Sequence, residues 1–293
     1  VVANPQFGPA MLTSNLGSSS WHAFEAEFRR RFATGWILQA SYTFSKALGN
    51  YEGDDSALGR NFRTLRNRSL DKTILSFDRT HAVKASGIWE LPFGPGKTFG
   101  RNLHGVIGHI IGGWQTGGIL TIQSGAPFSL SGVGAFNTAG NNTAVAVTPL
   151  GGDLGTVQKV GNGVIYFGDW KQIVDPYVAQ ITTLSGVQQR STMLSVTDAS
   201  GKLLLVNAQP GQLGSLRTNF LRGPGLFQFD LNLIKRFKFR ERYEFYVRAD
   251  AVNMANHANF SNPDGNINST TFGRITGTST DARVIVLAGR LSF

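Results

Sequence analysis

The amino-acid sequence predicts an all-β fold built from long antiparallel strands. Seven segments alternate apolar and polar residues, which is the pattern of a strand with two different faces. No apolar run reaches the roughly 18 residues that a transmembrane helix needs. Charged residues make up only 16% of the chain, whereas Gly and Phe are frequent, at 36 and 21 residues. A soluble β-sandwich normally carries about 25% charged residues, so the composition favours a transmembrane β-barrel segment with lipid against its apolar faces.

The first four strands are predicted over residues 21–32, 36–45, 83–91 and 114–123. In the first, aromatic residues and alanine alternate with glutamate and arginine. In the second and fourth, apolar residues alternate with Gln, Ser, Thr and Gly, and Trp residues lie near the strand ends. Each segment is about as long as the roughly 9–11 residues of a tilted membrane strand.

The last three strands are predicted over residues 227–239, 243–251 and 283–293. The first two of these show the clearest alternation of the whole chain and are joined by a short turn. The seventh ends in an aromatic residue, Phe293. It resembles the final strand of bacterial outer-membrane barrels, and that resemblance implies that the barrel-assembly machinery reads Phe293 as an assembly signal.

The connections alternate between short turns and long loops at about 49–79, 126–224 and 255–281. Outer-membrane barrels have short periplasmic turns and long extracellular loops, so we expect the long loops to be extracellular. The link 92–113 lies on the short-turn side, and its apolar part predicts a small helix over 103–111 at the membrane edge. Residues 191–207 predict a hairpin, either extracellular, which we favour, or two further membrane strands.

The strand faces opposite the apolar ones are expected to line the barrel lumen. Their charges have mixed signs, so neighbouring side chains are expected to pair rather than to form a filter for one charge. The predicted lumen-facing residues are Glu25, Glu27, Arg29, Arg31, Lys84, Glu90, Asp230, Glu244, Arg248, Asp250 and Arg290.

Seven strands are an odd number, whereas single-chain bacterial barrels usually have an even one. Either residues 1–18 add an eighth strand or the chain is the C-terminal part of a larger barrel. Residues 1–18 alternate poorly and contain Pro5 and Pro9, so we favour the larger barrel, of which this chain would be an open, curved sheet. The sequence shows no signal peptide and no plug domain, and we expect both to precede residue 1.

Several short segments resemble one known family in their order and spacing. They include residues 21–32, 38–46, 77–81, 90–97, 113–115, 123–128, 221–225, 253–260 and 269–275. Together they resemble the C-terminal barrel of TonB-dependent outer-membrane receptors, in the Oar-like subgroup that carries a carboxypeptidase-regulatory-like domain. The resemblance implies a barrel of about 22 strands, a plug inside it, and contact of the upstream part with the TonB complex, which energises uptake of scarce ligands.

The loop after the second strand holds two charged groups of residues. Glu52, Asp54 and Asp55 could bind Ca²⁺ but lack the full spacing of a calcium loop, and a solvated turn is favoured. Guanidinium groups suit phosphates, so four arginines are ligand-contact candidates for lipopolysaccharide or an anionic ligand, although local pairing would explain them too. They are Arg60, Arg63, Arg66 and Arg68.

The sequence gives no sign of catalysis or of a cofactor. The five histidines lack metal-ligand spacing, no nucleophile-elbow motif occurs, and Cys is absent. The formal net charge of +10 is spread over turns and loops, which does not favour nucleic acid. We therefore expect no enzyme but a protein of the bacterial outer membrane that contacts its lipid and lipopolysaccharide and takes up an unknown ligand. A self-contained small barrel serving as anchor or adhesin and a soluble β-sandwich binding module are the alternatives.

Overall fold

A computed structural model of the chain describes residues 15–33, 35–50, 67–132, 143–150, 154–177, 193–209, 212–239 and 243–293. Helix α1 spans Gly105–Ile111, and a short 3-10 helix spans Arg68–Asp71. The strands are β1 (Ser19–Ala33), β2 (Trp36–Gly49), β3 (Thr73–Ile74), β4 (His81–Glu90), β5 (Trp114–Gln123), β6 (Pro127–Phe128), β7 (Val145–Ala146), β8 (Gln158–Val160), β9 (Gly163–Ile165), β10 (Lys171–Val174), β11 (Leu194–Thr197), β12 (Leu203–Val206), β13 (Leu221–Arg222), β14 (Leu226–Phe239), β15 (Tyr243–Val252), β16 (Arg274–Ile275) and β17 (Val284–Ser292).

The seven long strands form one antiparallel sheet in chain order, β1-β2-β4-β5-β14-β15-β17, and β3 extends it beside β2. Within the described residues, no pairing joins β1 to β17, so the sheet is open. This confirms the predicted all-β fold, with all seven predicted strands present. A soluble β-sandwich is wrong, since the long strands form one sheet rather than two packed ones.

The pairing register aligns the alternating positions of all seven strands. In six of the strands, one row of paired residues consists of Leu38, Gly87, Gly118, Leu231, Ala251 and Ile285, and in β1 the partner of Leu38 is Arg30. We call the side of the sheet that carries this row the apolar face, and the opposite side the polar face. A slip of one residue in any strand would exchange its faces, so the register itself maintains the segregation.

The apolar face is not covered by the described part of the chain. Phe28 is 56% exposed, and in β17 the exposure of Ile285 and Leu287 is 59% and 74%. So much exposed apolar surface is unusual for a soluble protein. It is the surface expected of a strand whose backbone is paired within the sheet while its side chains contact lipid.

Aromatic side chains collect at one end of the apolar face. Trp36 pairs with Trp89 in the register, and Trp114 lies at the same end of β5. The rings of Phe237 and Phe245 are stacked, with their centroids 6.1 Å apart. Such a row is typical of the girdle at a membrane interface.

Short and long connections lie at opposite ends of the sheet, which we call the turn end and the loop end. At the turn end, Gly35 has a φ of 89° in the tight turn between β1 and β2, a conformation that favours glycine. The predicted helix of residues 103–111 is present there as α1. None of the helices in the described ranges is long and apolar enough to cross a membrane.

At the loop end, the described parts of residues 124–225 and 253–283 pack into one unit, the loop cap. Its core contains Leu130, Val196, Leu205 and Ile267, each fully buried, and the other buried members are Phe128, Ala144, Tyr166, Phe167, Leu221 and Ile275. The described parts of these two long loops are thus folded around a hydrophobic core of their own. The hydrophobic effect that stabilises an ordinary small domain acts here in the cap, not in the sheet.

The predicted hairpin around residues 198–201 is present in the cap. Strands β11 and β12 pair antiparallel in the separate sheet β10-β11-β12-β7. They are therefore not additional membrane strands, and the favoured alternative of a hairpin outside the seven-stranded sheet is the one observed.

Candidate ligand-contact surface

The polar face carries the predicted lumen-facing residues. The register places ten of them on this face, in rows such as Glu27, Ser41, Lys84, Thr121 and Gln228. The others are Glu25, Arg29, Glu90, Asp230, Glu244, Arg248, Asp250 and Arg290. Arg31 lies where the β1–β2 register shifts, between Arg30 and Ala33, so pairing does not determine its face. That this face lines a lumen stays a prediction.

Several charges on this face form pairs with neighbours. Arg29 Nη2 lies 2.9 Å from Glu27 Oε1, and Arg248 Nε lies 2.8 Å from Asp250 Oδ1. Arg236 Nε is 3.9 Å from Glu244 Oε1. Beyond the strand end, Lys97 Nζ lies 3.0 Å from Glu90 Oε2. Exposed pairs of this kind stabilise a protein by only about 0–1 kcal/mol, so they balance charge along the face more than they stabilise the fold.

The polar face also carries an apolar patch. Ile37 pairs with Ile88, and Ile119 lies one strand further along, on the same face. Their exposure of 38%, 44% and 55% shows that no described segment covers them. The sequence prediction followed the charged positions and missed this patch, although the three isoleucines interrupt the alternation.

A cavity of about 310 Å³ opens on the polar face at the loop end. Trp21 and Phe77, which are 57% and 66% exposed, contribute aromatic surface to it, and Arg79 and Lys84 contribute cations. The remaining lining residues are Ser41, Thr43, Ser45, Ala47, Asp78, Ala82 and Gln123. The cavity thus combines aromatic surface, hydroxyl groups and positive charge at the mouth of the sheet.

One wall of the cavity is held by Asp78, a residue that is 2% exposed as a whole. Its carboxylate accepts a hydrogen bond from the backbone N–H of Ala47 in β2 and forms an ion pair with Arg222 in β13. Arg222 Nη1 also donates to the backbone oxygen of Asp78 over 3.0 Å. A charge-assisted contact thereby joins the sheet to the loop cap.

Arg79 lies beside this ion pair. Burial and the neighbouring Arg222 lower the pKa of the Arg79 guanidinium below its ordinary value, while Asp78 acts in the opposite direction. Its Nη1 donates to the backbone oxygens of Ser76 and Asp78, over 3.1 and 2.8 Å. A partly desolvated cation gains from a nearby anion, and Asp78 provides one beside Arg79.

Sequence reasoning missed Trp21, Phe77 and Arg79 as site residues. Phe77 and Arg79 belong to the segment 77–81 and Trp21 to the segment 21–32, both of which carry the family resemblance. The sequence therefore contains these residues, but they line one cavity only when β1, β2 and β4 come together in space.

Most of the predicted loop candidates lie outside the described residues. These are Glu52, Asp54, Asp55, Arg60, Arg63 and Arg66. Arg68 is described: it is exposed at the start of the 3-10 helix, and its Nη1 donates to the backbone oxygen of Leu16 over 3.3 Å. Its role in ligand contact stays a prediction.

Phe293 follows β17 at the turn end and is 87% exposed. Its role as an assembly signal also stays a prediction. Among the described residues, no group of three or more His, Asp or Glu side chains could hold a metal ion.

One apolar and one polar face maintained over seven strands, with turns at one end and a folded cap at the other, define the wall of a membrane-spanning β-barrel. The sequence matches the family described as outer membrane beta barrel domain over residues 2–285, and the chain belongs to this family. It is a protein of the bacterial outer membrane, as predicted.

A shorter match supports the resemblance found in the sequence. The chain is 39% identical over 72 residues to the TonB-dependent transporter Oar of Myxococcus xanthus. The match covers 21% of this chain and 6% of that protein, so the chain spans only a small part of this relative. No solved structure matches the chain.

Proposed function

We propose that this chain forms the C-terminal barrel wall and the extracellular ligand-contacting loops of a TonB-dependent transporter, which takes up a scarce ligand across the outer membrane. The observation that carries the proposal is the mouth cavity, where aromatic rings and cations line one space on the polar face at the loop end. The similarity to a TonB-dependent transporter supports the same assignment.

Ligand capture at the mouth would use two kinds of contact. Trp21 and Phe77 offer exposed ring surface, and aromatic rings bind apolar or planar groups with little loss of side-chain entropy. Lys84 and Arg79 offer positive charge to an anionic group. The cavity therefore fits a small ligand that combines an apolar or ring-containing part with a negative charge.

The remaining parts of the proposal concern partners. Energy would come from the TonB complex acting on an upstream plug domain, and the barrel-assembly machinery would insert the barrel. Arg60, Arg63, Arg66 and Arg68 would contact the ligand or lipopolysaccharide. The chain would act as a transporter wall. It would not catalyse a reaction, would not need a cofactor and would not bind nucleic acid.

Uptake is tested in cells that produce the full-length protein, with and without a functional TonB complex. Mass spectrometry of the growth medium follows which compounds are depleted. We expect at least one anionic compound to be depleted only when both proteins are present. Trp21→Ala and Lys84→Gln should reduce its depletion, whereas Arg290→Gln, on the same face but at the turn end, should not. Depletion that is independent of TonB would contradict the proposal.

The loop cap favours a second candidate function. A cap with its own buried core could serve as an adhesive surface on a self-contained barrel that anchors it. Heat-modifiable gel mobility in detergent separates the two, since only a closed barrel migrates as a compact, heat-sensitive species. If the 293-residue chain does so alone, the anchor or adhesin replaces the transporter.

A further inference from the structure

The linker between β4 and β5 presents an unusually apolar surface to its surroundings. In α1, Val106, Ile107 and Ile110 are 74%, 59% and 59% exposed. Earlier in the linker, Phe93 and Phe99 are 41% and 58% exposed, and their ring centroids lie 5.6 Å apart. The side chains of a seven-residue helix are thus turned outward, where water would be a poor solvent for them.

Hydrogen bonds from two side chains of the sheet determine which side of the wall the helix occupies. Trp114 Nε1 donates to the backbone oxygen of Ile110 over 3.0 Å. Lys235 Nζ donates to the backbone oxygens of His109, over 2.6 Å, and Gly112. Trp114 and Lys235 are paired in the register and belong to the apolar face. The C-terminal end of α1 therefore lies against the apolar face at the turn end of the sheet, not on the polar side.

These contacts also explain a cation on the apolar face. Lys235 is 3% exposed, and a lysine facing lipid without partners would be costly. Its ammonium group caps the negative C-terminal end of α1 and lies 5.3 Å from the Trp114 ring centroid and 5.0 Å from that of Phe237. Lys235 thus holds the helix against the sheet, and the backbone oxygens at the end of the helix accept its hydrogen bonds.

The linker also packs closely against itself. Gly94 has a φ of 109°, and a Cβ at this position would collide with the backbone of Gly112. The N–H of Gly94 donates to the backbone oxygen of Phe99 over 2.8 Å. The start and end of the linker are thereby held together, which fixes the direction in which α1 presents its apolar side chains.

The charge of the linker is suited to phospholipid. Residues 91–113 contain no Asp or Glu, but they do contain Lys97, Arg101, His104 and His109. Lys97 pairs with Glu90 of β4 over 3.0 Å, and Arg101 is exposed. Exposed apolar side chains together with basic ones are the combination that binds the boundary between headgroups and acyl chains, and anionic headgroups strengthen it.

We propose that the β4–β5 linker is an interfacial anchor that inserts α1 and the Phe93–Phe99 pair into the periplasmic, phospholipid leaflet of the outer membrane. The apolar face of the sheet continues directly into the linker through Trp114 and Lys235, so the lipid that covers this face also reaches α1. Val106, Ile107 and Ile110 enter the acyl region, and Arg101 contacts headgroup phosphates. The anchor sets the depth and tilt of this part of the wall.

Because the chain contains no Cys, a single Cys can report the local environment once any upstream cysteines of the full-length protein are replaced by Ser. Ile107→Cys carries the fluorophore NBD, and Asn102→Cys, an exposed polar position of the same linker, is the matched control. The full-length protein is reconstituted into phosphatidylethanolamine–phosphatidylglycerol vesicles that contain nitroxide-labelled lipid or face iodide in solution.

We expect the label at position 107 to have a blue-shifted emission and severalfold stronger quenching by lipid nitroxide than the label at 102. Comparing shallow and deep nitroxides should place it about 5–10 Å below the headgroups. Lys235→Met should reduce this quenching by releasing the helix. The decisive measurement is the quenching of the label at position 107 in the protein that retains Lys235. Iodide quenching equal to that at 102 would overturn the proposal. A label shielded from both quenchers would also overturn it, by indicating a protein partner.

Discussion

Replacement of Arg222 by Met should loosen the junction between the sheet and the loop cap. Arg222 donates to the carboxylate and the backbone oxygen of Asp78, and Tyr166 Oη donates to the backbone oxygen of Arg222 over 2.6 Å. Met preserves much of the apolar stem of Arg but removes the guanidinium. Asp78 would then remain buried, with the N–H of Ala47 still donating to it.

The expected free-energy cost of this substitution follows from the burial of Asp78 and Arg222. The Asp78 side chain is 0% exposed and that of Arg222 is 28% exposed. Removal of one partner from a buried pair costs about 3–5 kcal/mol, and the partial exposure of Arg222 favours the lower end. Since about 1.36 kcal/mol corresponds to a factor of ten, opening of the junction should become roughly 100-fold more frequent.

Hydrogen exchange followed by mass spectrometry measures this opening in outer-membrane vesicles that contain the full-length protein. Peptides covering residues 73–80 and 221–226 should exchange faster in the Arg222→Met variant. Arg217→Met, an exposed position in the same loop, is the control and should leave exchange unchanged. Equal exchange in the two variants would show that the ion pair does not hold the junction.

Three further predictions concern the cap, the faces of the sheet and pH. Asn259, which is fully buried, accepts from the N–H of Phe227 and donates to Thr280 Oγ1, both over 2.8 Å, so Asn259→Ala should cost about 1–3 kcal/mol and increase protease cleavage within 253–283. Leu287→Arg on the apolar face should destabilise the folded barrel in urea by about 2–4 kcal/mol, whereas Ala288→Arg, its neighbour on the polar face, should cost clearly less; equal costs would contradict the assignment of faces. Burial raises the pKa of Asp264, but hydrogen bonds from Ser269, Asn266 and Thr271 outweigh it, and the pKa lies below its ordinary value. Because the pKa of Asp264 is lower in the folded state, its carboxylate stabilises the fold at pH values above the unfolded-state pKa of about 3.9. This stability is lost as the pH falls through the folded-state pKa. Protection of peptides covering 264–275 from hydrogen exchange, compared with the intrinsic exchange rate at the same pH, should therefore fall below about pH 4. Asp264→Asn should reduce that loss of protection. A loss of the same size in the variant would assign it to other groups.

The sheet could be predicted from the sequence because lipid imposes a strict rule on each strand separately. Every second residue must be compatible with lipid, so period two is visible locally in β14 and β15 without knowledge of their neighbours. The helix α1 could be predicted in the same way, from a short apolar segment. The side of the wall on which it lies depends on Lys235, more than 120 residues away, and no local pattern contains that information.

The loop cap and the mouth cavity could not be predicted, for a related reason. The cap core joins Leu130, Val196 and Ile267, which come from distant segments without a common period. The cavity likewise needs Trp21 of β1 and Phe77, which precedes β4, to line the same space. The residues of the cap core and of the cavity come together only in the tertiary structure. The alternation of a membrane strand, in contrast, is already present in its own sequence.

The assignment of the two faces of the sheet is tested most directly by a cysteine scan of β14 in the full-length protein, reconstituted in lipid vesicles. Fluorescent labels at positions 229, 231 and 233 on the apolar face should be quenched by nitroxide-labelled lipid, and labels at 228, 232 and 234 on the polar face should not. Ile234 is decisive, because its side chain is apolar although the register places it on the polar face opposite Gln115 and Arg248. Quenching that alternates with every residue and spares position 234 is the result that a membrane-spanning wall predicts. Quenching at 234 as strong as at 233, or no alternation at all, would contradict it.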